Sequence, residues 1–346
     1  MTLTREPLTT QAVRLSWQKI VARYQVPDAR RSLWQVVTSF GPYIAVWYLM
    51  YLSLSVSYLL TLALSLVAAG FLIRIFIILH DCGHGSFFSS QKANNFLGSI
   101  CGVVSLTPYF QWRHNHAVHH ATSGDLDRRA TWDVPLTYTV KEYLALPSWK
   151  KALYRAYRHP IGLFVIAPIL LFIVAQRFPS PGVGRRELWS VHFTNLAVLA
   201  SLMVLGYFGG FGKVILVQLP ITILAGTIGI WLFYVQHQFE DTYWEHCPDW
   251  NFATAALRGS SYFKLPRLLR WFTGNIGLHH IHHLSSRIPN YALQKCHDEN
   301  PEFQQVNTIT LLTSLKCVSL RLWDEETQKL VGFKHLRRQP VSGNHI

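Results

Sequence analysis

The sequence is poor in charged residues, and acidic residues are the scarcer kind. Asp, Glu, Lys and Arg make up 14% of its 346 residues, against about 25% in soluble proteins, while half of the residues are hydrophobic. Lys and Arg outnumber Asp and Glu by 32 to 18, which gives a net charge of +14. The basic residues flank apolar segments and form no long tract, so this surplus favours orientation in a membrane over nucleic-acid binding.

Cysteine is also scarce. The five cysteines are odd in number and include no CxxC pair, so the sequence predicts reduced thiols and a cytosol-facing site. Cys82 lies inside a His-rich motif, where we expect a small packing residue and not a metal ligand. The first forty residues carry no signal-peptide pattern, so membrane insertion is expected to depend on internal apolar segments.

Long apolar runs are abundant. Residues 41–79 are almost entirely apolar, about twice the ~20 residues that a membrane-spanning helix needs. Arg74 is the one charge in this run, and we expect it to snorkel toward the membrane surface. Two helical hairpins are predicted to span the membrane: 41–58 with 60–79, and 191–208 with 214–235, the second turning at a Gly-rich stretch. The shorter run 96–110 is predicted to be interfacial or re-entrant, with a buried helix of the soluble type as the alternative. The run 161–175 is predicted to lie in the interface, because basic residues flank both of its ends.

These runs predict an all-α integral membrane protein with two transmembrane hairpins, interfacial helices and a cytosolic cap. We expect one domain over 1–346, with a cytosolic or interfacial segment at 1–40 and a cytosolic C-terminal segment at 297–346. A helix with an apolar face that includes Val21 is predicted either to lie on the bilayer or to be an ordinary packed helix. In the C-terminal segment one helix face is predicted to carry Ile309, Leu311, Leu312, Leu315 and Val318.

Histidine is concentrated in three short motifs. His80 and His84 are one helical turn apart, and the pattern HxxHH occurs at 116–120 and again at 279–283. Positions i, i+3 and i+4 share one face of a helix, so each motif is expected to point its imidazoles in one direction. Eight imidazoles predict a multinuclear metal site: His80, His84, His116, His119, His120, His279, His282 and His283. Ligand type leaves the metal open, but a structural zinc ion needs only four ligands and usually takes Cys.

The motifs also constrain the topology. The chain must cross the membrane an even number of times between the motifs if the motifs are to meet. The two predicted hairpins satisfy this condition. All three motifs then lie at one membrane face, which the basic flanks predict to be the cytosolic face.

The stretches around these motifs resemble the membrane-bound fatty acid desaturases, in particular the delta-12 (omega-6) acyl-lipid branch. The first motif reads HDCGH, the second continues as ATSGDLDR, and the third continues as LSSRIPNY. The resemblance covers residues 26–335 and implies a di-iron centre, dioxygen as co-substrate and two electrons per turnover. The reaction that it implies removes two hydrogens from adjacent methylenes of an acyl chain in a membrane lipid.

The resemblance implies roles for particular residues. The eight histidines would bind the metals, with His237 as a further ligand and Asn275 as the alternative to it. Independently of the resemblance, four other residues could orient the ligands: Asp81, His114, Asp125 and His280. Helix capping or an ion pair with Arg128 or Arg129 is the alternative for the carboxylates, and a surface role is the alternative for the two histidines. A haem or iron–sulfur domain is not visible, so the electron donor is expected to be a separate acidic ferredoxin, and the location a bacterial cytoplasmic membrane.

Two other functions fit parts of the sequence. A related di-iron hydroxylase of alkanes or carotenoids would use the same ligands, although the stretches after the second and third motifs favour a desaturase. A His-rich metal transporter would place ionisable residues near the membrane midplane. The motif histidines instead lie at the ends of the predicted spans, which argues against transport.

Overall fold

The computed structural model describes residues 11–129 and 135–337, with side chains from residue 17 onward. Helices dominate it, as the sequence predicts. The helices, in chain order, are α1 Gln11–Ala22, α2 Ala29–Ser53, α3 Tyr58–His84, α4 Gln91–Val104, α5 Tyr109–Thr122, α6 Val140–Ala145, α7 Ser148–Tyr157, α8 Gly162–Arg177 (mixed π, α and 3-10 turns), α9 Arg185–Gly209, α10 Phe211–His237, α11 Phe252–Arg258, α12 Arg267–Phe272, α13 His279–Leu284, α14 Asn290–Glu299 and α15 Leu311–Cys317. The strands are β1 Tyr138–Thr139, β2 Tyr262–Lys264, β3 Thr308–Thr310, β4 Leu322–Asp324 and β5 Lys329–Val331.

Within residues 11–129 and 135–337, four helices are long and apolar enough to cross a membrane: α2, α3, α9 and α10. They form the two predicted hairpins, and Gly210 allows the second turn with a φ of 85°. The central helices α3 and α10 have 27 residues each, or about 40 Å at 1.5 Å per residue, which exceeds the ~30 Å hydrocarbon core. Their ends therefore project beyond the apolar layer.

The first span begins at Ala29, earlier than the predicted residue 41. Asp28 accounts for this start, because its side chain accepts hydrogen bonds from the backbone N–H groups of Arg30 and Arg31. Polar side chains on the inner face of the helix, such as Gln35 and Ser39, are buried against the rest of the protein. Hydropathy alone underestimates the length of a helix that buries such residues.

Arg74 does not snorkel, contrary to the prediction. Its side chain is buried, donates a hydrogen bond to the carbonyl of Trp271 and lies 3.9 Å from the centre of the Trp271 ring. A carbonyl and an aromatic face are thus the partners of the guanidinium inside the protein. Arg74 therefore fastens α12 to α3.

Helix α8, which contains the predicted interfacial run 161–175, is bent by 64° relative to α7. It packs along α10, where the Thr227 hydroxyl donates to the Phe164 carbonyl over 2.7 Å. Phe172 and Pro168 lie directly beside Gly226, whose added Cβ would be 3.1 Å from each. Helix α8 thus forms one wall of the space next to α10.

The cap is formed by described residues outside the spanning helices, and its strands form two small sheets, of strand orders β1-β4-β5 and β2-β3. These sheets were not predicted from the sequence. Ile309 is one of their residues: it pairs with Phe263 in the parallel β2–β3 ladder, so its assignment to a helix face with Leu311 was wrong. Helix α1 packs against the cap, because Val21 is buried in a cluster with Ile281 and Leu284.

Candidate metal centre

Four helices bring histidines to one end of the bundle. His80 and His84 lie in the last turn of α3, which Gly85 terminates in the left-handed conformation with a φ of 68°. The second motif lies on α5, the third forms α13, and His237 is the last residue of α10. All nine predicted imidazole ligands therefore meet, from segments that are far apart in sequence.

The nine imidazoles form two groups. Cluster A contains His80, His84, His116, His120 and His282, and cluster B contains His119, His237, His279 and His283. Within each cluster the candidate ligand atoms lie within 4.8 Å of one another. Each HxxHH motif is divided between the clusters, a partition that the sequence analysis did not predict.

The ring nitrogens face one another at short distances. In cluster A, His120 Nε2 is 3.1 Å from His116 Nε2 and 3.0 Å from His282 Nε2. In cluster B, His237 Nε2 is 2.9 Å from His279 Nε2 and 3.2 Å from His119 Nε2. Imidazole nitrogens bind metals at about 2.0–2.1 Å, so two that bind one ion at right angles are about 3 Å apart. The spacing of the nitrogens fits a metal ion in each cluster.

The charge state of the imidazoles also fits metal binding. Burial and the neighbouring imidazoles lower the pKa of five rings outside the membrane-spanning helices well below the ordinary value for histidine: His116, His120, His279, His282 and His283. These rings are neutral at pH 7, the form in which imidazole binds metals.

Asp81 is the predicted orienting residue that contacts a cluster ring. Its Oδ1 is 3.2 Å from His80 Nδ1, and the residue is almost fully buried. In metal sites a carboxylate at the second ring nitrogen fixes the orientation of the imidazole. On the cluster B side, the Gly259 carbonyl lies 3.4 Å from His237 Nδ1.

The other four candidates have different surroundings. Asp125 instead pairs with Arg128 and accepts from the backbone N–H of Asp127, as a loop-stabilising carboxylate does. His114 lies on the exposed face of α5. His280 is fully buried, and its Nε2 is 2.9 Å from the Phe303 carbonyl. The Asn275 side chain donates to the Asn290 carbonyl over 3.0 Å.

A largely apolar cavity of about 220 Å³ reaches both clusters. His80 and His116 of cluster A and His119 and His279 of cluster B line it. Its walls come from α3, α8 and α10, and on α10 the lining residues are small at positions i, i+3, i+4 and i+7: Thr222, Ala225, Gly226 and Gly229. This cavity was not predicted from the sequence, although the helical spacing of these small residues was a signal for it.

The geometry defines a helical membrane protein with two histidine clusters that could hold metal ions at the end of an apolar cavity. A family model described as "Fatty acid desaturase" matches residues 55–310. A "Fatty acid desaturase" of Bacillus subtilis (strain 168) is 48% identical over 324 residues, 94% of this chain and 92% of that protein. The chain therefore belongs to the fatty acid desaturase family, a family of oxidoreductases, as its motifs predicted.

More distant relatives have more specific names. An "sn-1 acyl-lipid omega-3 desaturase (ferredoxin)" of Synechocystis sp. is 29% identical over 232 residues, 64% of this chain and 62% of that protein. An "sn-1 oleoyl-lipid 12-desaturase" of Picosynechococcus sp. is 29% identical over 233 residues, 64% of this chain and 63% of that protein. The matches thus span less than two thirds of these two relatives.

Proposed function

We propose that this protein is an O₂-dependent acyl-lipid desaturase with two iron ions, one held by cluster A and one by cluster B. It introduces a cis double bond into an acyl chain of a membrane lipid, and the first motif, HDCGH, favours the branch that includes the delta-12 (omega-6) type. The observation that carries this proposal is the apolar cavity that ends at both clusters. An acyl chain is the kind of molecule that such a cavity accepts.

The proposed reaction converts –CH₂–CH₂–, O₂, two electrons and two protons into –CH=CH– and two waters. Bound iron ions would supply the oxidising chemistry by activating dioxygen. The chain's own residues position the acyl methylenes: the small side chains of α10 leave room for the chain, while Phe76 and Phe233 line the space next to the histidines. Neutral imidazoles present lone pairs to the metals, and the apolar lining excludes water from the reacting carbons.

We propose a separate ferredoxin as the electron donor. Within the described residues, each group of side chains that could hold a metal ion contains at most one cysteine, whereas an iron–sulfur cluster is held by several thiolates. The name of the Synechocystis relative includes ferredoxin, which supports this donor. Reconstitution of the purified enzyme with reduced ferredoxin or with reduced cytochrome b5 would identify the donor by the rate of double-bond formation.

We further propose that the clusters face the cytosol of a bacterial cytoplasmic membrane. Reduced thiols and the basic flanks of 161–175 support this orientation. A reporter fused after Gly182 is then expected to score as cytosolic, and an external score would contradict the proposed topology.

Expression in a host that lacks polyunsaturated lipids, followed by fatty acid profiling, tests the reaction. New cis double bonds would support the proposal, and a hydroxylated chain without a double bond would favour the hydroxylase. Metal analysis of the purified protein is expected to give two irons per chain, and one zinc without iron would contradict the metal centre. His159→Ala is a suitable control for substitutions of the cluster histidines, because the His159 ring is exposed and its Nδ1 accepts from the Ile161 backbone N–H.

A further inference from the structure

Asn290 connects four segments at the buried side of cluster A. It is the first residue of α14 and is 2% exposed. Its backbone N–H and its side-chain Nδ2 both donate to Asp81 Oδ2, over 2.7 and 2.8 Å. Nδ2 also lies 3.2 Å from Gln35 Oε1, and the Asn290 carbonyl accepts from Asn275. Helices α2, α3 and α14 and the turn before α13 thus meet at one side chain.

These contacts give each oxygen of the Asp81 carboxylate its own partners. Oδ2 takes two N–H donors from Asn290, and Oδ1 faces the His80 Nδ1. The first N–H groups of a helix lack partners within the helix and favour a negative charge, and the N-cap residue of α14, Pro289, provides no side-chain acceptor. Asp81 therefore caps α14 across 209 residues of sequence.

We infer that Asn290 is a positioning residue of the metal centre: through Asp81 it fixes the His80 ring so that its Nε2 points into cluster A. The inference rests on the proposed function for the presence of metal ions. A carboxylate orients a ligand imidazole only if the carboxylate itself is held, and Asn290 supplies two of the hydrogen bonds that hold it. In the described part of the protein the contacts of Asn290 and Asp81 lead to His80 of cluster A, so the effect of Asn290 is expected at cluster A.

The test is a titration of the metal-free, full-length protein with Co²⁺, followed by visible absorption. Imidazole binds Co²⁺, and the absorption reports the geometry of its ligands. Wild type is expected to bind two ions. Asn290→Ala is expected to weaken one of the two by roughly 10–100-fold and to alter its spectrum, with the other unchanged.

Asn94→Ala is the matched control. Asn94 is also a buried asparagine, and its side chain accepts from the backbone N–H of Phe88 and donates to the Phe88 carbonyl. Its removal is expected to lower thermal stability without changing the affinity or the absorption of either Co²⁺ ion. If Asn290→Ala fails to fold, Asn290→Ser retains the backbone donor and a shorter hydroxyl donor and is judged by the same titration.

A double-mutant cycle separates positioning from general structural support. If Asn290 acts through Asp81, Asn290→Ala has little further effect on Co²⁺ affinity in an Asp81→Ala background. Additive losses, equal weakening of both ions, or two unaffected ions would each overturn the inference. If the wild-type protein does not bind two Co²⁺ ions, the proposed metal centre is contradicted, and the role of Asn290 in it is contradicted as well.

Discussion

Substitution of Gly229 should shorten the acyl chain that the cavity accepts. Gly229 lines the cavity on α10, and a Cβ added to it meets no atom within 4 Å. It lies eight residues, or about 12 Å along the axis, from His237, whereas Thr222 lies about 22 Å away. A leucine at this position would therefore project into the cavity between the histidine clusters and its Thr222 end.

The size of the effect follows from the methylenes that the new side chain displaces. Burial of one methylene contributes about 0.8 kcal/mol, so displacing about three costs about 2.4 kcal/mol. This corresponds to a loss of about 50-fold in kcat/KM for chains that reach past Gly229. Shorter chains should keep near-normal rates, and replacing a helical glycine by leucine should not destabilise the helix.

The assay is a competition among acyl chains of different length on purified enzyme, followed by gas chromatography of the products. Gly212→Leu is the matched control, because Gly212 also lies on α10 with no atom within 4 Å of an added Cβ but does not line the cavity. An unchanged chain-length profile for Gly229→Leu, with long chains desaturated at the wild-type rate, would refute the assignment of this cavity to the acyl chain.

Further predictions concern the histidines and the bundle. His119→Ala should abolish the product while membrane insertion continues, since the spanning helices are intact; cell fractionation with fatty acid profiling tests both parts, and wild-type activity would contradict the role of cluster B. The metal-free protein should lose stability as the pH falls below about 6.5, because rings such as His282 and His283 have lowered pKa values when folded, so that the unfolded chain binds more protons there. Thermal unfolding at pH 5 to 8 measures this, and a flat profile would contradict it. Arg74→Leu should lower thermal stability by about 1–3 kcal/mol, because the Trp271 carbonyl loses its buried donor, whereas the exposed Arg31→Leu should have little effect.

The sequence predicted the spanning hairpins and the shared direction of the imidazoles within each motif, because apolar run length and the i, i+3, i+4 spacing are local properties. His237 was predicted from the family resemblance and from its place at the end of the last span. The sequence did not predict which imidazole joins which cluster, since that depends on how α5 and α13 are rotated against each other. Arg74 and Ile309 were misassigned for a related reason: their partners, Trp271 and Phe263, are distant in sequence. Periodicity carries no information about such pairings.

The division of each HxxHH motif between two clusters has a consequence for biogenesis. Cluster A needs α3, α5 and α13, and cluster B needs α5, α10 and α13. Neither is complete until α13, which follows the last span, has been synthesised and docked. A chain that has inserted only its first hairpin therefore holds His80 and His84 and no finished site, so the proposed iron ions would be bound only by a fully assembled protein. Each ion, once bound, would cross-link three helices, and its binding free energy would add to the stability of the fold.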